Sequence, residues 1–301
     1  MNVQRLALAT AAAATCALLA SPAAAINSYN ARPSDRAEVG TLIVQFWSDA
    51  RGGWRVDWVC SGAMLDADTF LTAAHCVTDW GSKPPRFFVS LDPDVEPALE
   101  PIRDDEDGLT DAEAAAVVAE LTSPAGRQGV RAVEGVEHHD PGFPGPASDS
   151  HDIAVVEVPA GPVAARWDFE PAELPTANEL TALGSRALDS RTWTVAGYGT
   201  QEATRDPDRA HLAGGERLEA TVDFNALNAA WVRLAMNEGR GLGGACYGDS
   251  GGPNYVDLGG GREVLAAITI TGDVPCYATN VAYRTDTTNA RAFLGTYVAL
   301  S

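Results

Sequence analysis

Lysine is almost missing from this chain: Lys83 is the only one in 301 residues, and Lys and Arg together number 21 against 41 Asp and Glu, a net charge of −20. Phosphate-rich partners are held by clustered cations, so the composition argues against nucleic acid and anionic membranes as partners. The bias toward arginine reads as genome composition, and the acidity favours solubility without saying anything about fold. Cysteine is also scarce, at 5 in the whole chain. No pair has the C-x-x-C spacing of a zinc ribbon or redox motif, so neither a metal nor a cofactor is expected. After the first 25 residues no apolar run is long enough to cross a bilayer, and no internal repeat is visible. What remains is a chain that is 46% hydrophobic, enough for one large domain or two small ones.

Residues 1–25 read as a secretory signal. Arg5 supplies a positive start, Leu6 to Ala20 an apolar stretch, and Ala23-Ala24-Ala25 a small-residue cleavage site. Cys16 would suit a lipoprotein anchor, but Ala13-Ala14-Thr15 before it lacks the usual leucine. A secreted, extracellular protein that acts as a monomer is therefore expected. Cys60, Cys76, Cys246 and Cys276 remain after signal removal. An even number in an exported chain predicts two disulfides, with three connectivities open.

Short apolar, β-branched runs dominate the rest. Val39 to Trp47 and Trp54 to Cys60 read as a hairpin across Ser48–Gly53, followed by Ala63-Met64-Leu65, Thr69-Phe70-Leu71 and Phe87 to Leu91. Val130 to Val136 and Ala154 to Val158 continue the pattern, with a turn-rich His138-His139-Asp140-Pro141 stretch between them. Gly161 to Asp189, rich in Pro and Ala, reads as a connector. Thr192 to Tyr198, Arg217 to Phe224, Ala230 to Met236 and Val264 to Ile270 form a second set of strands. Residues 92–121 interrupt the first set with an acidic insertion, read as a solvated loop leading into an Asp111 to Leu121 helix capped by Thr110-x-x-Glu113. Its carboxylates could take calcium, although EF-hand spacing is absent. Helical periodicity returns at Asn289 to Val298.

Chemistry concentrates in three motifs, in the order Thr72-Ala73-Ala74-His75-Cys76, His151-Asp152-Ile153-Ala154 and Gly248-Asp249-Ser250-Gly251-Gly252-Pro253. A serine hydroxyl becomes nucleophilic when an imidazole can take its proton, and the imidazole needs a carboxylate on its other nitrogen. A glycine-rich turn lets the main-chain N–H groups of Gly248 and Ser250 approach a substrate carbonyl. Singly, each motif could be a packed histidine, a strand-opening aspartate or a surface turn. Together they name His75, Asp152 and Ser250 as catalytic. His138, His139, His151 and His211 read as surface or loop histidines, with strand alternation turning His151 away from the site.

With these motifs, Cys60-Ser61-Gly62, Ala196-Gly197-Tyr198-Gly199 and the Cys246-Tyr247 lead-in, the chain from Ile26 onward resembles the chymotrypsin/trypsin-like serine peptidases, in their secreted bacterial form. The resemblance implies an all-β fold of two six-stranded antiparallel barrels with a short C-terminal helix. The first barrel would occupy residues 26–165 and the second 166–301. It implies Ser250 as nucleophile, His75 as base and then acid, Asp152 as orienter, and Gly248 and Ser250 as the oxyanion hole. It pairs Cys60 with Cys76 and Cys246 with Cys276. It makes Ile26, exposed by signal cleavage, the activating N-terminus that pairs with Asp249, although Asn27-Ser28 departs from the usual sequence. It puts Gly244 at the base of the primary pocket, where trypsin-like members carry Asp, and Thr271, Gly272 and Asn280 in its walls. A protein or peptide substrate with an uncharged apolar residue before the scissile bond is then expected, unless Asp273 supplies a charge. Thr269 or Ile270 stands where a serine usually bonds the triad aspartate. The other reading is a non-catalytic trypsin-fold module that binds through the acidic insertion. A lipase is excluded by the motif order and the absence of G-x-S-x-G.

Overall fold

The structure is a computed structural model and describes residues 26, 30–103, 108–200 and 214–300. The expected signal at 1–25, Asn27-Ser28 and His211 lie outside the described residues.

Alternating and β-branched runs pair locally to build the first barrel. The strand Val39–Ser48 (β2) turns through Gly52, at φ +67°, into Gly53–Met64 (β3). The strands Thr69–Thr72 (β4), Arg86–Ser90 (β5), Val133–His139 (β6) and Ala154–Glu157 (β7) complete a closed antiparallel ring in the order β2-β3-β4-β7-β6-β5. Leu42, Phe70, Leu71, Phe88 and Val155 are fully buried inside it. Burying one such side chain is worth about 1.5–3 kcal/mol, which makes closure of the ring favourable.

The second barrel repeats the ring. Trp193–Gly197 (β8), Leu218–Leu227 (β9), Trp231–Ala235 (β10), Pro253–Asp257 (β11), Glu263–Gly272 (β12) and Thr279–Arg284 (β13) follow one another around the core in the order β8-β9-β10-β13-β12-β11, and β11 pairs back to β8. A two-residue strand, Arg32–Pro33 (β1), adds to β9. The fold is thus two six-stranded antiparallel barrels of trypsin-like type, as expected. Strands β11 and β13 were not foreseen. One opens on a proline straight after the glycine turn and the other on Thr-Asn, so neither carries an apolar signal at its start.

Helices decorate the barrels. The acidic insertion is not the solvated loop its charge suggests. It folds into Glu96–Arg103 (α1) and Asp111–Thr122 (α2), the latter with the foreseen capping box between Thr110 and Glu113. The connector carries Ala160–Ala164 (α3) and Glu179–Asp189 (α4), which its Pro and Gly content hid. The C-terminal helix, Thr288–Leu294 (α5), is capped by the Thr287 hydroxyl, which accepts from the Ala290 N–H. It returns to the first barrel, where Tyr297 just beyond it stacks on His138 at 5.1 Å between centroids.

The barrels are joined by specific polar contacts. The Tyr198 hydroxyl donates to the Asp92 carbonyl at 2.9 Å, and the Tyr255 hydroxyl to Glu38 at 2.7 Å. The buried Arg217 guanidinium donates to the carbonyls of Ser34, Val39 and Leu91. Cys60–Cys76 and Cys246–Cys276 are disulfides, which selects one of the three connectivities left open. The first closes a sequence separation of 16 residues, worth about 3 kcal/mol in the chain-entropy picture.

Candidate active site

His75 sits in a single 3-10 turn, Ala74–Cys76, directly after β4, and the disulfide to Cys60 ties that turn to β3. Asp152 lies one residue before the apolar run that enters β7, and its side chain is buried. Because β4 and β7 pair from Thr72↔Ala154, their ends bring the two residues together. The His75 main-chain N–H donates to Asp152 Oδ1 at 3.0 Å, and His75 Nδ1 meets Oδ2 at 2.8 Å. A carboxylate can only accept, so Nδ1 carries the proton and Nε2 is left as a base.

Ser250 comes from the second barrel, between Cys246 and β11. Gly248 has φ +92° and Gly251 φ +77°, conformations that suit only glycine. A Cβ on Gly251 would collide with Thr72, Ser61 and the Ala73 nitrogen. The turn is therefore seated against the segment that leads to His75. Ser61 on β3 fastens it further: its N–H donates to the Ser250 carbonyl and its hydroxyl to the Gly248 carbonyl, each at 2.8 Å. The Ser250 hydroxyl makes no hydrogen bond to His75 among the described residues. Such bonds are often loose before substrate arrives.

The main-chain donors of the turn divide sharply. Asp249 N–H donates to Cys246, Gly251 N–H to Thr269 and Gly252 N–H to Asp249. The N–H groups of Gly248 and Ser250 have no partner among the described residues. An unbonded pair of donors flanking a serine can bind an oxyanion.

Asp249 is fully buried, and its carboxylate accepts from the N–H groups of Gly199 and Cys246, each at 2.8 Å. Burial pushes its carboxyl up to about 7, with these two N–H bonds pulling the other way. Glycines are required opposite it, since a Cβ on Gly197 or Gly199 would strike the carboxylate. Ile26 is fully buried in the core of the second barrel. Residues precede it in this chain, so its nitrogen is a peptide nitrogen and no ion pair to Asp249 is present among the described residues.

Beside Ser250 opens a cleft lined by Ala245 to Tyr247 on one side and Thr269 to Val274 with Cys276 on the other. Thr271 and Gly272 line it. Gly244 and Asn280 do not. Gly244 packs against Met236, whose side chain a Cβ there would strike. Asn280 is buried behind the wall, donating to Asn254 at 2.8 Å and to Thr269 Oγ1 at 3.3 Å. The Tyr247 hydroxyl donates to the Val274 carbonyl at 3.2 Å, bridging two lining residues across the cleft. Asp273 also lines the cleft, and its carboxylate accepts from the main-chain N–H groups of Tyr277, Ala278 and Thr279. Thr269 rather than Ile270 contacts the serine turn, through main-chain bonds to Gly251 and Gly252. Its hydroxyl accepts from Asn254 and Asn280, and among the described residues it makes no bond to Asp152.

Two of the remaining histidines have local carboxylate partners. His138 pairs with Glu157 at 2.8 Å. His151 precedes β7 rather than belonging to it. Strand alternation does not apply there, and a left-handed turn (φ +53°) sends its Nδ1 to Asp140 at 3.0 Å. The one cluster of metal-type ligands among the described residues is Cys60, His75 and Cys76, and both sulfurs are already joined in the disulfide. Two acidic residues of the insertion have protein partners: Asp92 binds Arg131 and Trp167, and Glu96 binds Arg103. No family model matches the chain, and no curated protein matches it.

Proposed function

We propose that this chain is a secreted serine endopeptidase. The observation that carries the reading is the unbonded pair of N–H groups at Gly248 and Ser250, in a turn whose other donors are all engaged. The His75–Asp152 pair, at 2.8 Å, supports it with a base held in the right tautomer. Two disulfides suit an oxidising compartment.

In this mechanism Ser250 Oγ attacks the peptide carbonyl carbon while its proton passes to His75 Nε2. The oxyanion that forms takes the N–H groups of Gly248 and Ser250, and Asp152 stabilises the imidazolium. Collapse expels the amine, which leaves with the proton from His75. Water then gives a proton to His75 and attacks the Ser250 ester. The acid is released and the serine regains its proton. The cleft from Ala245 to Cys276 would take the residue before the scissile bond. Cleavage after Ala25 would give Ile26 an ammonium, ordinarily of pKa about 8, for the buried Asp249 carboxylate. Edman sequencing of the active secreted protein tests that start site, and any start other than Ile26 overturns it.

A non-turnover module that binds through the insertion is the second reading, favoured by the missing Ser250–His75 hydrogen bond. A fluorophosphonate probe separates the two. The peptidase labels, and Ser250→Ala abolishes the label. A folded wild-type protein that fails to label supports the module.

A further inference from the structure

The acidic insertion reaches the serine turn. Helix α1 lies on β3, where Arg103 grips two carboxylates at once. Its Nε donates to Asp57 at 3.0 Å, and its Nη1 and Nη2 donate to the two oxygens of Glu96 at 2.7 and 2.5 Å. Glu96 in turn accepts from Trp58 Nε1 at 3.2 Å, and the Arg103 guanidinium lies 5.5 Å from the centre of the Trp58 ring. The chain entering the helix is pinned as well, with Val95 N–H donating to Gly215 of the second barrel at 2.8 Å. The indole of Trp58 is thus fixed by its ring nitrogen.

Gly248 rests on that indole. A Cβ there would collide with Cζ3 of Trp58 and press on Gly199. Its carbonyl is held by Ser61, and its N–H is unbonded. Trp58, Arg103, Gly248 and Tyr247 also border one cleft, with the buried and unpartnered hydroxyl of Thr200. The direction of a peptide N–H follows the plane of its peptide, so whatever limits movement of Gly248 sets where that donor points. A displacement of about 1 Å in a positioned group can cost about 100-fold in rate.

We infer that Trp58, anchored through Glu96 and Arg103 of the insertion, is a positioning residue that holds the Gly248 N–H in register for the oxyanion. The inference rests on the peptidase reading and gives the insertion a role in it. Losing one oxyanion donor lowers kcat by about 100- to 1,000-fold in such sites, so an ill-held donor should cost less than a deleted one.

The test uses the full chain, a fluorogenic peptide and a peptide aldehyde of the same sequence, which forms an oxyanion on Ser250. Glu96→Ala should lower kcat about tenfold with KM within twofold, and weaken aldehyde binding by the same factor. Trp58→Ala should do the same to a larger extent. Glu96→Gln, which can still accept from the indole, should recover most of the loss. Folding is checked by circular dichroism, and if Trp58→Ala does not fold, Glu96→Ala decides. Folded variants with kcat and aldehyde affinity within twofold of wild type overturn the inference. So does a rise in KM with kcat intact. A wild-type protein that neither labels nor cleaves overturns the peptidase reading itself, and this role with it.

Discussion

Asp249 is the residue whose environment says most about how the chain is used. Buried carboxylates are unfavourable when charged, and here only two main-chain N–H groups offset the burial. With a folded value of about 7 against about 4 unfolded, the folded state binds the proton more tightly. The resulting stability is complete below pH 4 and falls as pH rises through 7, by up to about 4 kcal/mol. An ammonium at Ile26 would remove that fall by pairing with the charged form. Urea midpoints between pH 4.5 and 7.5 should therefore decline for a chain that keeps residues before Ile26. They should stay level in Asp249→Asn and in a chain beginning at Ile26. An equal decline in Asp249→Asn would show that another group is responsible.

At the scale of elements, the proposed primary pocket is a product of β12 and the loop after it. Asp273 caps that loop with its carboxylate, and the mouth is crossed by Tyr247 and Val274. Asp273, the carboxylate lining the space among the described residues, is already engaged by three main-chain N–H groups, so a peptide library should be cut mainly after uncharged apolar residues. Asp273→Asn should weaken the loop without changing that preference. A library cut mainly after Arg or Lys would refute the assignment. The strands that carry β-branched runs, such as β2 and β12, were readable from sequence because burial of both faces demands those residues. So were the glycine turn and the order of His75, Asp152 and Ser250. The insertion looks solvated in sequence, since a run of carboxylates does so until a helix brings Arg103 back to Glu96 and more distant chain brings Arg131 to Asp92. Gly244 was misplaced for a similar reason. An offset along the chain says nothing of Met236, eight positions upstream, packing against Gly244.

At the scale of the whole molecule, the site is shared between barrels. His75 and Asp152 belong to the first and Ser250 to the second, and Ser61 is the fastening between them. Its hydroxyl donates to Gly248 and accepts from the Tyr198 N–H at 2.8 Å. Ser61→Ala leaves the buried Tyr198 donor without its partner, which should cost about 1–3 kcal/mol. The loss should appear as a lower midpoint in a single urea transition followed by circular dichroism, together with slower fluorophosphonate labelling. Two separate transitions, or an unchanged midpoint, would show that Ser61 does not couple the barrels.

Gly251, wedged against Thr72 and Ala73 of the other barrel, has one more implication. The shape of the serine turn is borrowed from a surface that exists only once the first barrel has formed. If the proposed peptidase reading holds, a chain with a single barrel finished has all its reactive side chains and nowhere to assemble them. Completion of the fold would then be its own safety catch, engaged throughout synthesis and released only when both halves meet.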